Sequence, residues 1–525
     1  MEHNKISGNS GLVPTRLGAQ ALAQSLLVAA FLGAPVLATA ADDASLEELD
    51  QRIKILERQL EIQKEDADTK AKDATTPKID DKGVSIKKGD FELKIKALVQ
   101  VDGRTFIDDY NPANTTETAT TNRNGLYSND TFTFRRIRPT FEGTFGKFVG
   151  FRLTPEFAGT GAGDVGGNNA IVDAYVDLKF DPAYTLRAGK VKGPVALERL
   201  QSGGSLTFVE RGFPTELAPN RDLGIQLQGE LFASTVNYTL GYYNGTADGR
   251  DVVTNDADNR KEVGARLFFE PFKNDPGFFQ GLGFGVGSSF GTKDQGAFNA
   301  GNANSFLPRY RTPGQLQVFA YTAAATAATG AAAGTTGVYA DGDHTRISPQ
   351  LTFYRNSFGL LSEWISSEQE LSQGFIPIGG GSTPTAFTKQ KLKNEAWQVA
   401  ASYVLTGEDA SFRGVAKPTA PFTIGGPGWG AFEVAARFGK LEIDDEAFDT
   451  VDDGGVTFAR FANPVTQVSE AEAWTVGVNW YLTSNLKAVL NYSEVKFEGG
   501  GGGTATDPEN REDEKTVFGR LQLSF

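Results

Sequence analysis

Residues 91–102 read FELKIKALVQVD. Phe91, Leu93, Ile95, Ala97, Val99 and Val101 alternate with Glu92, Lys94, Lys96, Leu98, Gln100 and Asp102, and a period of two sustained this long marks a strand with one apolar face. Its length narrows the setting. A tilted strand crossing a bilayer needs about 9–11 residues, whereas strands of soluble proteins usually run about 5–6. The stretch therefore predicts a membrane-crossing strand.

The pattern recurs near residues 131–145, 148–157, 171–180, 184–192, 222–232, 234–243, 261–270, 280–290, 344–354, 357–367, 392–405, 430–442, 470–482, 485–497 and 514–525, which makes sixteen strands. Tight connections such as Gly146-Lys147, Asp181-Pro182, Ala233-Ser234 and Ser484-Asn485 alternate with long ones rich in Gly, Asn, Asp and Ala. Short periplasmic turns and long outer loops produce this rhythm. It fails between Thr406 and Gly430, where a periplasmic turn is expected and the connection is too long. On residues 131–145 the alternation sends Ile137, Phe141 and Phe145 outward and Arg136, Arg138, Thr140 and Glu142 inward. The next two strands turn Arg152, Thr154 and Glu156, then Asp173, Tyr175, Asp177 and Lys179, to the same inner face. Unpaired charges would be costly inside a closed soluble barrel, but sixteen strands enclose a water-filled channel that solvates them. The fold class expected is all-β, a transmembrane antiparallel β-barrel.

Composition agrees and excludes much else. Hydrophobic residues make up 39% and mean hydropathy is −0.30, so a bundle of spanning helices, each needing about 20 apolar residues in a row, does not fit. With no cysteine there is no disulfide framework, thiolate nucleophile or zinc–thiolate site. His3 and His344 are the only imidazoles, which leaves a His-dependent hydrolase a single candidate. No catalytic set, metal site or cofactor is assigned. The net charge of −14 disfavours nucleic acid as a partner. It says little about a channel, whose selectivity depends on the few charges at its narrowest point.

Lys5 and Arg16 precede an apolar run from Ala19 to Leu37 and the small-x-small triplet Ala38-Thr39-Ala40, which predicts a secretory signal over residues 1–40. Residues 41–88 are expected to be periplasmic. Leu46, Leu49, Ile53, Leu56 and Leu60 recur at spacings of three and four, the seam of a short coiled-coil helix. The polar, lysine-rich stretch from Asp66 to Lys88, with Pro77, reads as a linker. The barrel then occupies residues 89–525.

Several segments, in order, resemble the phosphate-selective porin O and P family. They include Phe134-Arg135-Arg136-Ile137-Arg138 with Phe141-Glu142-Gly143, Asp173-Ala174-Tyr175-Val176-Asp177-Leu178, and Leu186-Arg187-Ala188-Gly189-Lys190-Val191-Lys192 with Pro194. Leu206-Thr207-Phe208-Val209-Glu210-Arg211, Arg221-Asp222-Leu223-Gly224, Tyr403-Val404-Leu405-Thr406-Gly407-Glu408, Gly477-Val478-Asn479-Trp480-Tyr481-Leu482 and the closing Gly519 to Phe525 follow. The terminal Phe525 also resembles the C-terminal signal of outer-membrane clients. The resemblance covers residues 45–525. It implies a trimeric, sixteen-stranded channel in the outer membrane of a Gram-negative bacterium, with anion preference and an inward-folded third loop. One departure concerns specificity: Gln315 to Gly342 is alanine-rich and holds no arginine or lysine, so the basic ladder by which phosphate-specific members draw anions inward is missing there.

Fixed cations can replace part of the hydration that a permeating anion sheds. The candidates are Lys190, Lys192, Arg199, Arg211 and Arg221, in and beside the third long connection, with Ser202 and Ser205 as hydroxyl donors. Arg104, Arg135, Arg136, Arg138 and Arg152 extend the basic surface. A second reading has the same arginines bracing the loop through Glu198, Glu210, Glu216 and Asp222. A charge pair at about 4 Å is worth roughly 4 kcal/mol at an effective dielectric of about 20, enough to cancel the pull on an anion. Arg187 and Lys190 fall on opposite faces of a regular strand, so without a bulge only one points inward. The solute expected is a small anion such as phosphate; the alternative is a general or nutrient porin for neutral or cationic solutes.

Overall fold

The computed structural model describes residues 43–73, 76–107, 130–158, 171–252, 256, 258–294, 306–322, 325–327, 334–377, 385–453, 456–459 and 461–525. The expected signal segment lies outside them. Sixteen antiparallel strands form one closed barrel. They are β1 Phe91–Ile107, β2 Thr131–Phe145, β3 Val149–Pro155, β4 Ile171–Asp181, β5 Tyr184–Val191, β6 Asp222–Leu231, β7 Val236–Tyr243 and β8 Glu262–Phe269. The second half comprises β9 Leu282–Asp294, β10 Gly334–Arg355, β11 Phe358–Pro377, β12 Thr385–Val404, β13 Ala431–Glu442, β14 Val468–Tyr481, β15 Leu486–Thr504 and β16 Glu514–Ser524. Each pairs with the next, and β16 closes on β1 with Ser524 opposite Leu98. Phe525 completes the seam: its N–H donates to Ala97 O at 3.1 Å and its O accepts from Ala97 N at 2.9 Å.

Closure leaves none of the sixteen wall strands at an edge, as a bilayer requires. Outward residues are apolar over a belt bounded by aromatic side chains, as in the pairs Phe148–Phe180 (5.1 Å) and Phe432–Trp480 (5.7 Å) near one rim and Trp397–Phe438 (5.5 Å) and Trp474–Tyr492 (5.2 Å) near the other. Aromatic girdles of this kind mark the two membrane interfaces. The wall is uneven. β3 and β5 hold 7 and 8 residues, whereas β10, β11 and β12 hold 22, 20 and 20. The surplus rises on the extracellular side, where charges in partial contact with solvent pair, as in Lys391–Glu368 at 2.7 Å and Lys440 between Glu442 (2.7 Å) and Glu470 (2.8 Å).

Two local features differ from the expectation. On β2 the register steps from Gln100 opposite Arg136 to Val101 opposite Phe134. Arg135 is the extra residue of this bulge, which turns two consecutive arginines inward. The predicted linker is ordered: the helix runs Asp43–Asp73, and Thr76–Asp80 and Gly83–Lys88 form a hairpin whose second strand pairs with Phe91–Ile95 of β1. Gly83, at φ 107°, has no alternative there, because a Cβ would sit 2.3 Å from Ile95 O. Asn485 ties hairpin to seam, donating to Asp81 O (2.7 Å) and Ser524 O (2.8 Å). The helix is a unit of its own. Leu49, Ile53, Leu56 and Leu60 of its seam are all more than half exposed.

Two long connections fold into the lumen. The third loop, residues 192–221, contains a short helix, Leu197–Leu200, and a 3-10 turn, Phe213–Leu217. Residues 306–322 carry a small hairpin, Arg309–Arg311 with Gln317–Ala320. Val195, Phe213 and Leu217 of the first pack with Phe306, Tyr310 and Phe319 of the second into one apolar cluster, the largest among the described residues. The irregular connection at 406–430 folds in two arms, of which the first tucks Ala410 and Val415 against Val404, Ala431 and Tyr481 at the periplasmic end.

Candidate permeation path

The third loop crosses the lumen because the far wall satisfies its backbone. Gln100 Nε2 donates to Gly203 O (2.9 Å), Gln522 Nε2 to Gly204 O (2.8 Å), Lys487 Nζ to Leu206 O (2.8 Å) and Asn479 Nδ2 to Thr207 O (2.9 Å), while Asn491 Oδ1 accepts from Val209 N (2.7 Å). Buried backbone groups need such partners. Two carboxylates of the loop add charge. Glu198 accepts from Gln398 Nε2 (2.9 Å) and lies 3.6 Å from Arg437. Glu210 accepts from Arg104 Nη2 (3.0 Å) and from Arg135 Nε (2.6 Å) and Nη2 (3.1 Å), with Arg520 at 3.8 Å. Burial would raise the Glu210 pKa, but Arg135 and Arg104 outweigh it and hold the carboxyl well below the usual range.

The arginines predicted from sequence thus divide by position. Arg104 and Arg135, with Arg520 and Arg437, are braces. Arg136 lies beneath the loop tip, 2% exposed, where its Nη1 donates to Gln100 at 2.6 Å and a Cβ on Gly203 would meet its Nε at 2.9 Å. Lys190 leaves the group altogether. Regular alternation on β5 sets it opposite Ala174 and the exposed Leu223 on the outer face, whereas Arg187 points inward.

Several of the remaining cations surround a cavity of about 610 Å³ that reaches the periplasmic turns at Ser484 and Asn485. Arg138, Arg152, Arg187, Lys192, Arg221 and Arg266 line it, with Ser202 and Ser205 at the loop tip, and Asp173 is the only acidic side chain among the described lining residues. Some of these cations are shared with carboxylates set behind the surface. Arg187 grips Asp177 through two bonds (2.7 and 2.9 Å) over the Tyr175 ring, Arg138 pairs with Glu156, and Arg152 lies 3.3 Å from Glu142. Others are held by neutral oxygens. Lys192 Nζ donates to Leu200 O (3.1 Å) and Gln201 O (2.8 Å), Arg211 Nη2 to the same Gln201 O (2.7 Å), and Arg199 and Arg221 share Asn220 Oδ1 (3.1 and 2.6 Å), while Arg221 Nε also pairs with Asp173 Oδ1 at 3.3 Å. Carbonyls orient a cation without cancelling its charge. Burial and the nearby Arg221 and Arg211 push the Lys192 pKa well down.

Sequence reasoning missed the other end of this file. Arg250 and Arg309 line a second cavity, of about 490 Å³, with Gln317, Tyr321, Thr322, Asn463 and Gln467 on the extracellular side. Arg250 Nε and Nη2 are buried there without a hydrogen-bond partner among the described residues. Arg309 and Arg311 stand just before the alanine-rich stretch that lacks basic residues, and the signal is the triplet Arg309-Tyr310-Arg311. Tyr310 aims them: its hydroxyl donates to Asp248 (3.1 Å) and accepts from Asn394 (3.0 Å). Glu216 receives the Arg311 N–H and lies within the electrostatic reach of Arg199. His344 is wholly buried, with Nε2 2.9 Å from Ser367 Oγ.

A family model described as phosphate-selective porin O and P matches residues 99–525. The chain belongs to that family. It is an outer-membrane porin of a Gram-negative bacterium, as the resemblance in its sequence implied. No curated relative matches the chain. Among solved structures, this porin is similar to the anion-selective porin from Comamonas acidovorans at 13% identity, with 83% of this chain and 100% of that one covered and a TM-score of 0.41. The outer-membrane channel DcaP of Acinetobacter baumannii is similar at 10% identity, 83% and 97% coverage and a TM-score of 0.44. The loop L8 deletion mutant of OmpT from Vibrio cholerae gives 10%, 83%, 100% and 0.45.

Proposed function

We propose that this porin passes small anions by diffusion, phosphate among them, along the file of cations from Arg250, Arg309 and Arg311 through Arg199, Arg221, Lys192 and Arg211 to Arg138, Arg152 and Arg187. The observation that carries this reading is the asymmetry of the periplasmic cavity, with nine basic side chains against the single acidic Asp173 among the described lining residues. Charged walls of one sign focus the field and raise the local concentration of the opposite ion. Guanidinium groups suit phosphate because they offer parallel N–H donors to two of its oxygens. The exposed seam of Leu49, Ile53, Leu56 and Leu60 supports a homotrimer joined in part by a three-stranded coiled coil.

The test is the reversal potential of the purified full chain in a planar bilayer under a potassium chloride gradient. Chloride preference is expected, with phosphate added to one side lowering the chloride current. A reversal potential of the opposite sign rejects the reading. One near zero favours the alternative, a channel for neutral solutes, which the pairing of Arg138, Arg152 and Arg187 with Glu156, Glu142 and Asp177 would suit.

A further inference from the structure

The connection from Thr406 to Gly430 is longer than a periplasmic turn requires, and the permeation path uses only half of it. Its first arm folds inward, where Phe412 O accepts from Gln201 Nε2 at 2.6 Å and Arg413 lines the periplasmic cavity. Every charge of the connection, Glu408, Asp409, Arg413 and Lys417, lies on that arm; residues 418–430 carry none. The second arm turns the other way. Phe422 N donates to Leu482 O (2.7 Å), Gly430 N to Ala420 O (2.8 Å) and Thr423 N to Gly428 O (3.2 Å), which fixes residues 420–430 as a tight hairpin. Gly425, at φ 74°, supplies the turn that a side chain would strain.

The ordered tip is strongly apolar. Ile424 is 92% exposed and Trp429 66%. An isoleucine held out so far on a hydrogen-bonded hairpin would stay in water at a cost, since burying such a side chain is favourable. Its surroundings identify the medium. Phe422 meets Trp480 edge to face at 5.4 Å, Trp480 stacks on Phe432 at 5.7 Å, and Trp480 Nε1 donates to Trp429 O at 2.7 Å. Phe432 and Trp480 alternate with the inward Glu433 and Tyr481, so they belong to the lipid-facing wall at its periplasmic girdle. The hairpin continues that wall past the last strand residues. Tryptophan favours this level of a membrane, where ring and N–H meet apolar and polar surroundings together.

We propose that residues 420–429 form a finger that lies in the periplasmic leaflet of the outer membrane, its partner a phospholipid surface. The finger anchors, from the lipid side, the same connection whose other arm shapes the channel mouth. The absence of cysteine allows a direct test. A nitroxide on Ile424→Cys, in the full chain reconstituted into phospholipid vesicles, is read for accessibility to oxygen and to a water-soluble nickel chelate. Leu521→Cys on the lipid-facing wall and Asp507→Cys, in the exposed strand Asp507–Asn510 that pairs with the extracellular end of β15, provide the references. The finger predicts an oxygen-to-nickel ratio close to that of Leu521→Cys and several-fold above that of Asp507→Cys. A ratio matching Asp507→Cys overturns the proposal. So does a label shielded from both reagents with spin–spin broadening, because the finger would then dock on a second copy. If Ile424→Cys does not fold, Thr423→Cys gives the same reading one residue away.

Discussion

Replacing Glu210 with glutamine removes the carboxylate on which Arg104, Arg135 and Arg520 converge. Glu210, Arg104 and Arg520 are all at most 6% exposed in their side chains, and Arg135 is 28% exposed. Breaking a buried ion pair by deleting one partner costs about 3–5 kcal/mol, because the other charge is left desolvated and alone. Glutamine keeps one acceptor, and Asp102 still holds Arg520 through bonds of 2.6 and 2.7 Å, so the lower end applies. About 3 kcal/mol weakens docking of the loop limb against β1 and β2 by roughly a hundredfold, at a factor of ten per 1.4 kcal/mol. The barrel itself stays closed, since its ladder does not use Glu210. Single-channel recording of Glu210→Gln should therefore show larger, noisier currents than the parent and stronger anion preference from the released guanidinium groups. Glu210→Asp, which keeps the charge, should fall between them. Unchanged conductance, noise and selectivity in Glu210→Gln would refute the view that this carboxylate pins the third loop.

Neutralising the extracellular pair in Arg309→Gln/Arg311→Gln should lower conductance several-fold in dilute salt and little in concentrated salt, because the screening length falls from about 10 Å at 0.1 M to about 3 Å at 1 M; conductance against salt concentration measures this. Lys192 is charged only below a pKa that burial, Arg221 and Arg211 push down, so raising the pH through that lowered value removes a positive charge from the path. Reversal potentials should then show anion preference declining while ordinary lysines, with pKa near 10.4, are still protonated; Lys192→Gln should lack this step, with the weaker preference below it and the same preference as the parent above it.

The barrel was legible because an apolar–polar alternation longer than soluble strands need is written directly in the residues. Where the chain rises above the membrane that script fades. Residues 344–354 mark only the lower part of Gly334–Arg355, and 392–405 misses the start of Thr385–Val404, because outward positions such as Lys389 and Lys391 are charged once they leave lipid. The hairpin at 76–88 was hidden for another reason: its strands are polar, and their pairing comes from the edge of β1 below the C-terminus. Membership of the cation file was least legible. Whether an arginine braces or faces the path depends on contacts far away in sequence, as between Arg104 and Glu210, and on a bulge that turns Arg135 inward beside Arg136. Lys190 alone could be settled by counting residues along β5.

The account stands on the claim that permeating ions pass the cations around Arg221. In a chain without native cysteine, Arg221→Cys can be modified during single-channel recording with thiol reagents of either charge. The account predicts that a negatively charged adduct cuts the current and the anion preference, and that a positively charged one restores both. Equal currents and equal reversal potentials with the two adducts, with modification verified by mass, would contradict it.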